Sequence, residues 1–164
     1  MAETKKRSIP LQKTSGSADV PARLRALNRS QRHAVLATDG KGQPYTSLVA
    51  FALTDDASGI IVATPKKTRK YRNIIRNNRV SLLIDTRTNS ARGYLQSEAI
   101  TILGTATPVR KSRKRDALAG LLVKKHPALE DFVQSSSTAL VFVTLEKVLH
   151  VGRFQIVSQW SKEI

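Results

Sequence analysis

The chain has no cysteine, which excludes disulfides, thiolate metal ligands and cysteine nucleophiles together. It has one Trp, three Tyr and four Phe, mostly embedded in apolar strand patterns. Stacking platforms for nucleic-acid bases are therefore unsupported, although the charge permits nucleic-acid binding. No apolar run is long enough to span a bilayer, so no membrane association is expected. Lys5, Lys6 and Arg7 lack a following apolar segment, so no secretory signal is expected and a cytoplasmic location is the default. The three histidines, His33, His126 and His150, are scattered. None shows HxH or HExxH spacing, and no metal site is expected. Acids are scarce: 12 Asp and Glu face 28 Lys and Arg, for a net charge of +16. Such an excess attracts polyanions, whether nucleic acid, an anionic membrane face or phosphorylated small molecules.

The chain does have enough apolar residues, 40% of 164, for one domain with a core. Residues 1–19 are polar and basic and read as a flexible N-terminal arm. Residues 20–164 read as a single domain. Pro21 suits the first turn of a short helix with Val20, Leu24 and Leu27 on one face. Strands are expected over 33–38, 45–53, 60–64, 80–85, 99–109 and 138–151, with turns at Asp39-Gly40-Lys41-Gly42 and at 55–59. Residues 86–97 read as a polar loop, and Gly104 marks a bulge or a close backbone approach. Ser112 is positioned to cap a helix carrying Leu118, Leu121 and Leu122, stopped by Pro127. A short helical piece follows at 128–133, and residues 152–164 give no clear pattern. Six strands, the first three joined by short hairpins, point to an antiparallel barrel decorated by helices.

The most informative junction is Ala63-Thr64-Pro65-Lys66-Lys67-Thr68-Arg69-Lys70-Tyr71. A β-branched apolar strand breaks at Pro65, and a helix follows with Thr68 as N-cap and Tyr71, Ile74 and Ile75 on one face. There is no acid between residues 57 and 84, while 66–79 hold seven cations in fourteen residues. Cations are the wrong sign for a helix start. Free backbone donors and cations at one helix N-terminus suit a bound phosphate. A solvated basic turn explains the residues equally well at this stage. Two further basic clusters, Arg110-Lys111-Ser112-Arg113-Lys114-Arg115 and Lys124-Lys125, have no assigned role.

The ordered set Leu36-Ala37-Thr38, Gly42-Gln43-Pro44-Tyr45-Thr46-Ser47, Ala63-Thr64, Thr68-Arg69-Lys70, Asn73, Val80-Ser81-Leu82-Leu83 and Ile100 through Ala106 resembles the pyridoxamine 5′-phosphate oxidase-like family. The family's fold is a six-stranded antiparallel split β-barrel of Greek-key, flavin-binding type. The resemblance runs from about residue 24 to 151. It implies an FMN phosphate held by Thr68, Arg69 and Lys70, a flavin lying along the backbone of Thr46, Ser47, Leu48, Val49 and Phe51, and cofactor contact from Ala63 and Thr64. A deazaflavin phosphate would use the same cations. The resemblance also implies a homodimer with flavin sites at its interface. Arg153, Phe154 and Gln155 are candidates to reach the cofactor or substrate from the neighbouring subunit, and an ordinary subunit interface explains them equally well.

The chain departs from the true pyridoxamine-phosphate oxidases. Their arginine-rich, Trp-containing C-terminal segment is reduced here to Val151-Gly152-Arg153-Phe154-Gln155 and Trp160, and Ala99 stands where a flavin-reaching Gln is usual. The stretch Lys124 to Phe132, with the late Arg153-Phe154, is similar to a haem-handling branch that uses a C-terminal His ligand, but no His follows His150. The expectation is an FMN-dependent oxidoreductase acting on a small molecule. The alternatives are a non-catalytic flavin or haem binding module and a basic nucleic-acid binder. The isoalloxazine carries its own redox chemistry, so no catalytic side chain can be named from sequence.

Overall fold

The computed structural model describes residues 19–152 and 156–161. The expected N-terminal arm, residue 19 apart, and the residues Arg153 and Phe154 lie outside the described residues. Helix α1 (Val20–Ser30) opens the domain and buries Val20, Leu24 and Leu27. Strands β1 (His33–Asp39), β2 (Pro44–Leu53) and β3 (Gly59–Pro65) follow as consecutive antiparallel hairpins. Helix α2 (Arg69–Arg76) then carries the chain to β4 (Arg79–Asp85), which pairs with β1. The spatial order β4-β1-β2-β3 is a Greek key. After α3 (Gly93–Gln96) come β5 (Ala99–Pro108), α4 (Arg113–Lys125), a 3₁₀ turn (Pro127–Leu129), α5 (Glu130–Gln134) and β6 (Thr138–Gly152). Strand β6 pairs with β5 on one side and with β3 on the other, closing a six-stranded barrel. Strand β7 (Ile156–Ser161) adds to the far part of β6, beyond the stretch that β3 occupies.

Alternation along the strands builds the core. Leu36, Phe51, Ile60, Val62, Leu82, Ile84, Ile100, Ile102, Val141 and Val143 all fill the barrel and are almost fully buried. A second cluster under α4 and α5 joins Leu118, Leu122 and Val133 to Ile61 and Leu140 on the outer face. This explains why Gly59–Pro65 is buried on both faces and reads as a continuous apolar run. Gly104 sits at the register shift between β5 and β6, where a Cβ would lie 2.1 Å from the Thr144 carbonyl oxygen. Close backbone approach, together with the bulge, is why that position is glycine.

Three sequence expectations change. Seven strands occur among the described residues, because β7 forms where no pattern is legible. One turn of helix, α3, lies within the expected 86–97 loop. Ile75 does not share the buried face of α2: it is 59% exposed, while Ile74 is 2% exposed. Adjacent helical residues diverge by about 100°, and α2 packs through Ile74, Asn73 and, in part, Tyr71.

Candidate functional site

The strand-to-helix junction forms as its sequence implies. Thr68 caps α2, its hydroxyl accepting from Tyr71 N at 3.4 Å. The same oxygen donates to the Pro65 carbonyl (2.9 Å) and lies 3.0 Å from Thr64 Oγ1. Thr64 is buried at the end of β3, so strand end and helix start are bolted together through two hydroxyls. No acid occupies the first turn of α2, and the Arg69 and Lys70 amides have no intrahelical acceptor. Arg69 extends over the Tyr45 ring, 5.0 Å from guanidinium carbon to centroid, a cation–π arrangement that ties the helix start to β2. A further lock holds α2 in place. Asn73 is buried and donates to Thr38 Oγ1 at 3.1 Å. Its Oδ1 lies 2.2 Å from where a Cβ on Gly40 would sit.

Strand β2 has an uneven set of partners. It pairs with β1 from Pro44 to Ala50, but with β3 only at Phe51, Ala52 and Leu53. The edge of residues 45–50 that faces away from β1 therefore has no strand partner among the described residues. Thr46 and Leu48 are exposed beside this open edge, Leu48 at 67%. The Ser47 hydroxyl is buried without a hydrogen-bond partner among the described residues. Val49 is buried in the core. Phe51 stands apart from the edge: its side chain is fully buried, and its carbonyl lies 2.9 Å from His126 Nε2. Ala63 is half-buried and packs towards the second cluster.

An open strand edge with a spare hydroxyl thus adjoins a helix N-terminus with free amides, a threonine cap and two cations. Such a surface can hold a phosphate at the helix and a flat hydrogen-bonding ring along the strand. Thr46, Ser47, Leu48, Thr64, Thr68, Arg69 and Lys70 are brought to this region. Tyr45 and Asn73 order it; Tyr45 was within the quoted motif but gave no sign of its role, because stacking by Arg69 depends on the fold.

The histidines serve elsewhere. His126 is buried against the Phe51 carbonyl, and burial lowers its pKa despite that bond. His150 Nε2 lies 3.1 Å from Glu98 Oε2, and Arg23 grips the same carboxylate. Burial alone would raise the Glu98 pKa. The hydrogen bonds from Arg23 and His150 outweigh it and hold the carboxyl below its ordinary value. No group of three or more metal-ligating side chains occurs among the described residues, and no described helix is long and apolar enough to cross a membrane.

The family model described as pyridoxamine 5′-phosphate oxidase matches residues 20–152. No curated protein matches the chain significantly. Among solved structures, a haem binding protein from Mycobacterium smegmatis is 18% identical with a TM-score of 0.76. The alignment covers 92% of this chain and 60% of that one. A haem storage protein from Vibrio cholerae is 20% identical with a TM-score of 0.67, covering 76% of this chain and 89% of that one. An FAD-binding protein from Mesorhizobium loti is 15% identical with a TM-score of 0.62, covering 79% and 90%. At these identities the likeness is one of fold. The chain spans only about 60% of the length of the mycobacterial protein.

Proposed function

We propose that this chain, which belongs to the pyridoxamine 5′-phosphate oxidase family, binds FMN and serves as an oxidoreductase for a small molecule. The observation that carries the proposal is the open β2 edge lying beside the acid-free, capped start of α2. Thr68, Arg69 and Lys70 would hold the flavin phosphate, with charge-assisted donors and the helix amides acting together. The free edge of β2 would meet the ring, and the same strand carries the buried Ser47 hydroxyl, which has no partner among the described residues. When bound, the flavin supplies hydride or electron transfer, while the protein supplies placement and exclusion of water. Leu48 and Ile75, exposed at 67% and 59%, are apolar cover in want of a partner. A second copy seated over them would close the ring's other face and form a twofold homodimer.

Two of the neighbours in fold are a haem binding and a haem storage protein, and haem fits these residues less well. An axial imidazole needs a free nitrogen facing a cavity. His126 and His150 spend Nε2 on a carbonyl and a carboxylate, which leaves only Nδ1 of each for an iron, while His33 sits exposed at the start of β1.

The test is reconstitution of the purified chain with FMN, followed by its visible spectrum and by titration. Arg69→Ala should weaken FMN about tenfold to a hundredfold, the loss of a charge-assisted contact worth roughly 1.5–3 kcal/mol. Arg113→Ala, on α4, should change affinity little. Leu48→Glu should lower both dimer stability and flavin retention. A colourless protein that takes up neither FMN nor a deazaflavin refutes the proposal. Equal effects of the two arginine variants would also refute it, by reducing the site to general positive charge.

A further inference from the structure

The basic cluster at residues 110–115 and Lys66, far apart in sequence, meet around one cavity of about 550 Å³. Its walls are Pro108 at the end of β5 with Val109 after it, the first turn of α4, and the residues entering β6. Lys66, Arg110, Lys111 and Arg115 line it, against a single carboxylate, Asp116. None of these four cations is in an ion pair among the described residues. Two are held in place by backbone carbonyls: Lys66 Nζ donates to Ser136 O at 2.9 Å, and Arg115 Nη2 donates to Val133 O at 3.1 Å. Each keeps further N–H donors, since an ammonium has three and a guanidinium five. Ser135 and Ser136 also line the wall. Four unpaired cations around one concavity repel one another, and an anion bound among them relieves that repulsion.

None of Thr68, Arg69 and Lys70, the residues of the proposed flavin phosphate site, lines this cavity. Arg69 leaves the helix towards Tyr45 on β2, whereas Tyr71 lines the cavity and neither Arg69 nor Lys70 does. Residues two apart on a helix diverge by about 200°, so Arg69 and Tyr71 leave α2 in different directions.

We propose that this cavity is a second anion site, separate from the flavin site, that takes a small molecule carrying two or more phosphates. Four cations against one acid match a diphosphate or triphosphate better than a monophosphate, and the volume is in the range of small-molecule sites. The site is a concavity with convergent donors and not a track. Tyr71 is its only lining aromatic among the described residues, and a platform for stacked bases needs several.

The full chain should be titrated with pyrophosphate and with ATP by calorimetry, with AMP and a single-stranded oligouridylate as comparisons. Pyrophosphate and ATP should compete for one site, and AMP should bind at least tenfold more weakly. Arg110→Ala/Lys111→Ala, at two exposed positions, should lose at least tenfold in pyrophosphate affinity while keeping the wild-type melting temperature and FMN titration. Arg69→Ala should leave pyrophosphate binding intact, which separates failure here from failure of the flavin proposal. Unchanged pyrophosphate affinity in the double variant would overturn the proposal, as would its loss in Arg69→Ala. Oligouridylate binding that pyrophosphate does not displace, with equal loss from every basic cluster, would also overturn it by making the surface a nucleic-acid track.

Discussion

Thr64 Oγ1 and Thr68 Oγ1 lie 3.0 Å apart, one at the buried end of β3 and the other capping α2. The Thr68 hydroxyl is shared among Thr64, the Pro65 carbonyl and the Tyr71 amide. It therefore fixes the angle at which the helix leaves the sheet.

Thr68→Ala should cost about 1 kcal/mol by removing the cap, and lower the melting temperature by about 2–4 °C in a chain of this size. Thr68→Ser should recover most of it. A Thr68→Ala protein that melts like the wild type would show that the hydroxyl contributes nothing to the junction.

Gly104→Ala should be far more damaging than its size suggests. The added methyl would meet the Thr144 carbonyl oxygen at 2.1 Å, and backbone on both sides of the β5–β6 ladder has little room to move. Overpacking of this kind costs about 3 kcal/mol or more. Chemical denaturation of Gly104→Ala beside Gly120→Ala, where nothing lies within 4 Å, measures the contrast; equal midpoints would contradict it.

Lys125 stands on the Phe51 ring, 3.5 Å from its centroid, and donates to Asn28 Oδ1 at 2.9 Å. Burial, assisted by the nearby Arg32 charge, pushes its ammonium down to about 7. Between pH 7 and its unfolded value near 10.5, the unfolded chain binds the extra proton, so this group makes stability rise with pH. Lys125→Met should therefore raise the melting temperature at pH 6, with the advantage shrinking as pH climbs towards 10. A gap between the two proteins that is constant across that range would show that Lys125 titrates normally.

Glu98 behaves in the opposite sense. Its carboxyl is held below its ordinary value by Arg23 and His150, against the effect of burial. The stability it contributes is present above its unfolded pKa of about 4.5 and is lost as pH falls through the lower folded value. Glu98→Gln should cost about 1.5–3 kcal/mol at pH 7, since it removes the charge that, just before β5, binds Arg23 of α1 and His150 of β6. Thermal melts should show the difference closing below pH 4. A deficit that persists at pH 3 would mean that the loss comes from packing and not from charge.

Much of the fold is legible in the chain because local chemistry dictates it. Alternating apolar residues set the faces of β1 and β4. The turn at residues 40–43 contains two successive positive φ values, Lys41 and Gly42, as its glycines suggest. Thr68 and Ser112 both cap the helices they precede, through Tyr71 N and Arg115 N. Strand β7 was not legible: the register that carries it is supplied by the far edge of β6, a long-range pairing with no local signature. The exposure of Ile75 was likewise hidden, because periodicity does not say which flank of an amphipathic helix meets the sheet.

For the candidate site the division is sharper. The sequence alone determined the components: Thr68, Arg69 and Lys70 at a helix start without acids, and the apolar strand that precedes them. Only the tertiary structure decided their relations. It stacked Arg69 on Tyr45, left the edge of β2 open between Tyr45 and Ala50, and buried Phe51 away from that edge. It also gathered Lys66 with Arg110, Lys111 and Arg115 around one cavity. Caps, turns and alternation act over a few residues and are written into neighbouring side chains. Which strand edge stays unpaired, and which distant cations meet, depends on barrel closure between β3 and β6, segments more than seventy residues apart, and so on the whole fold.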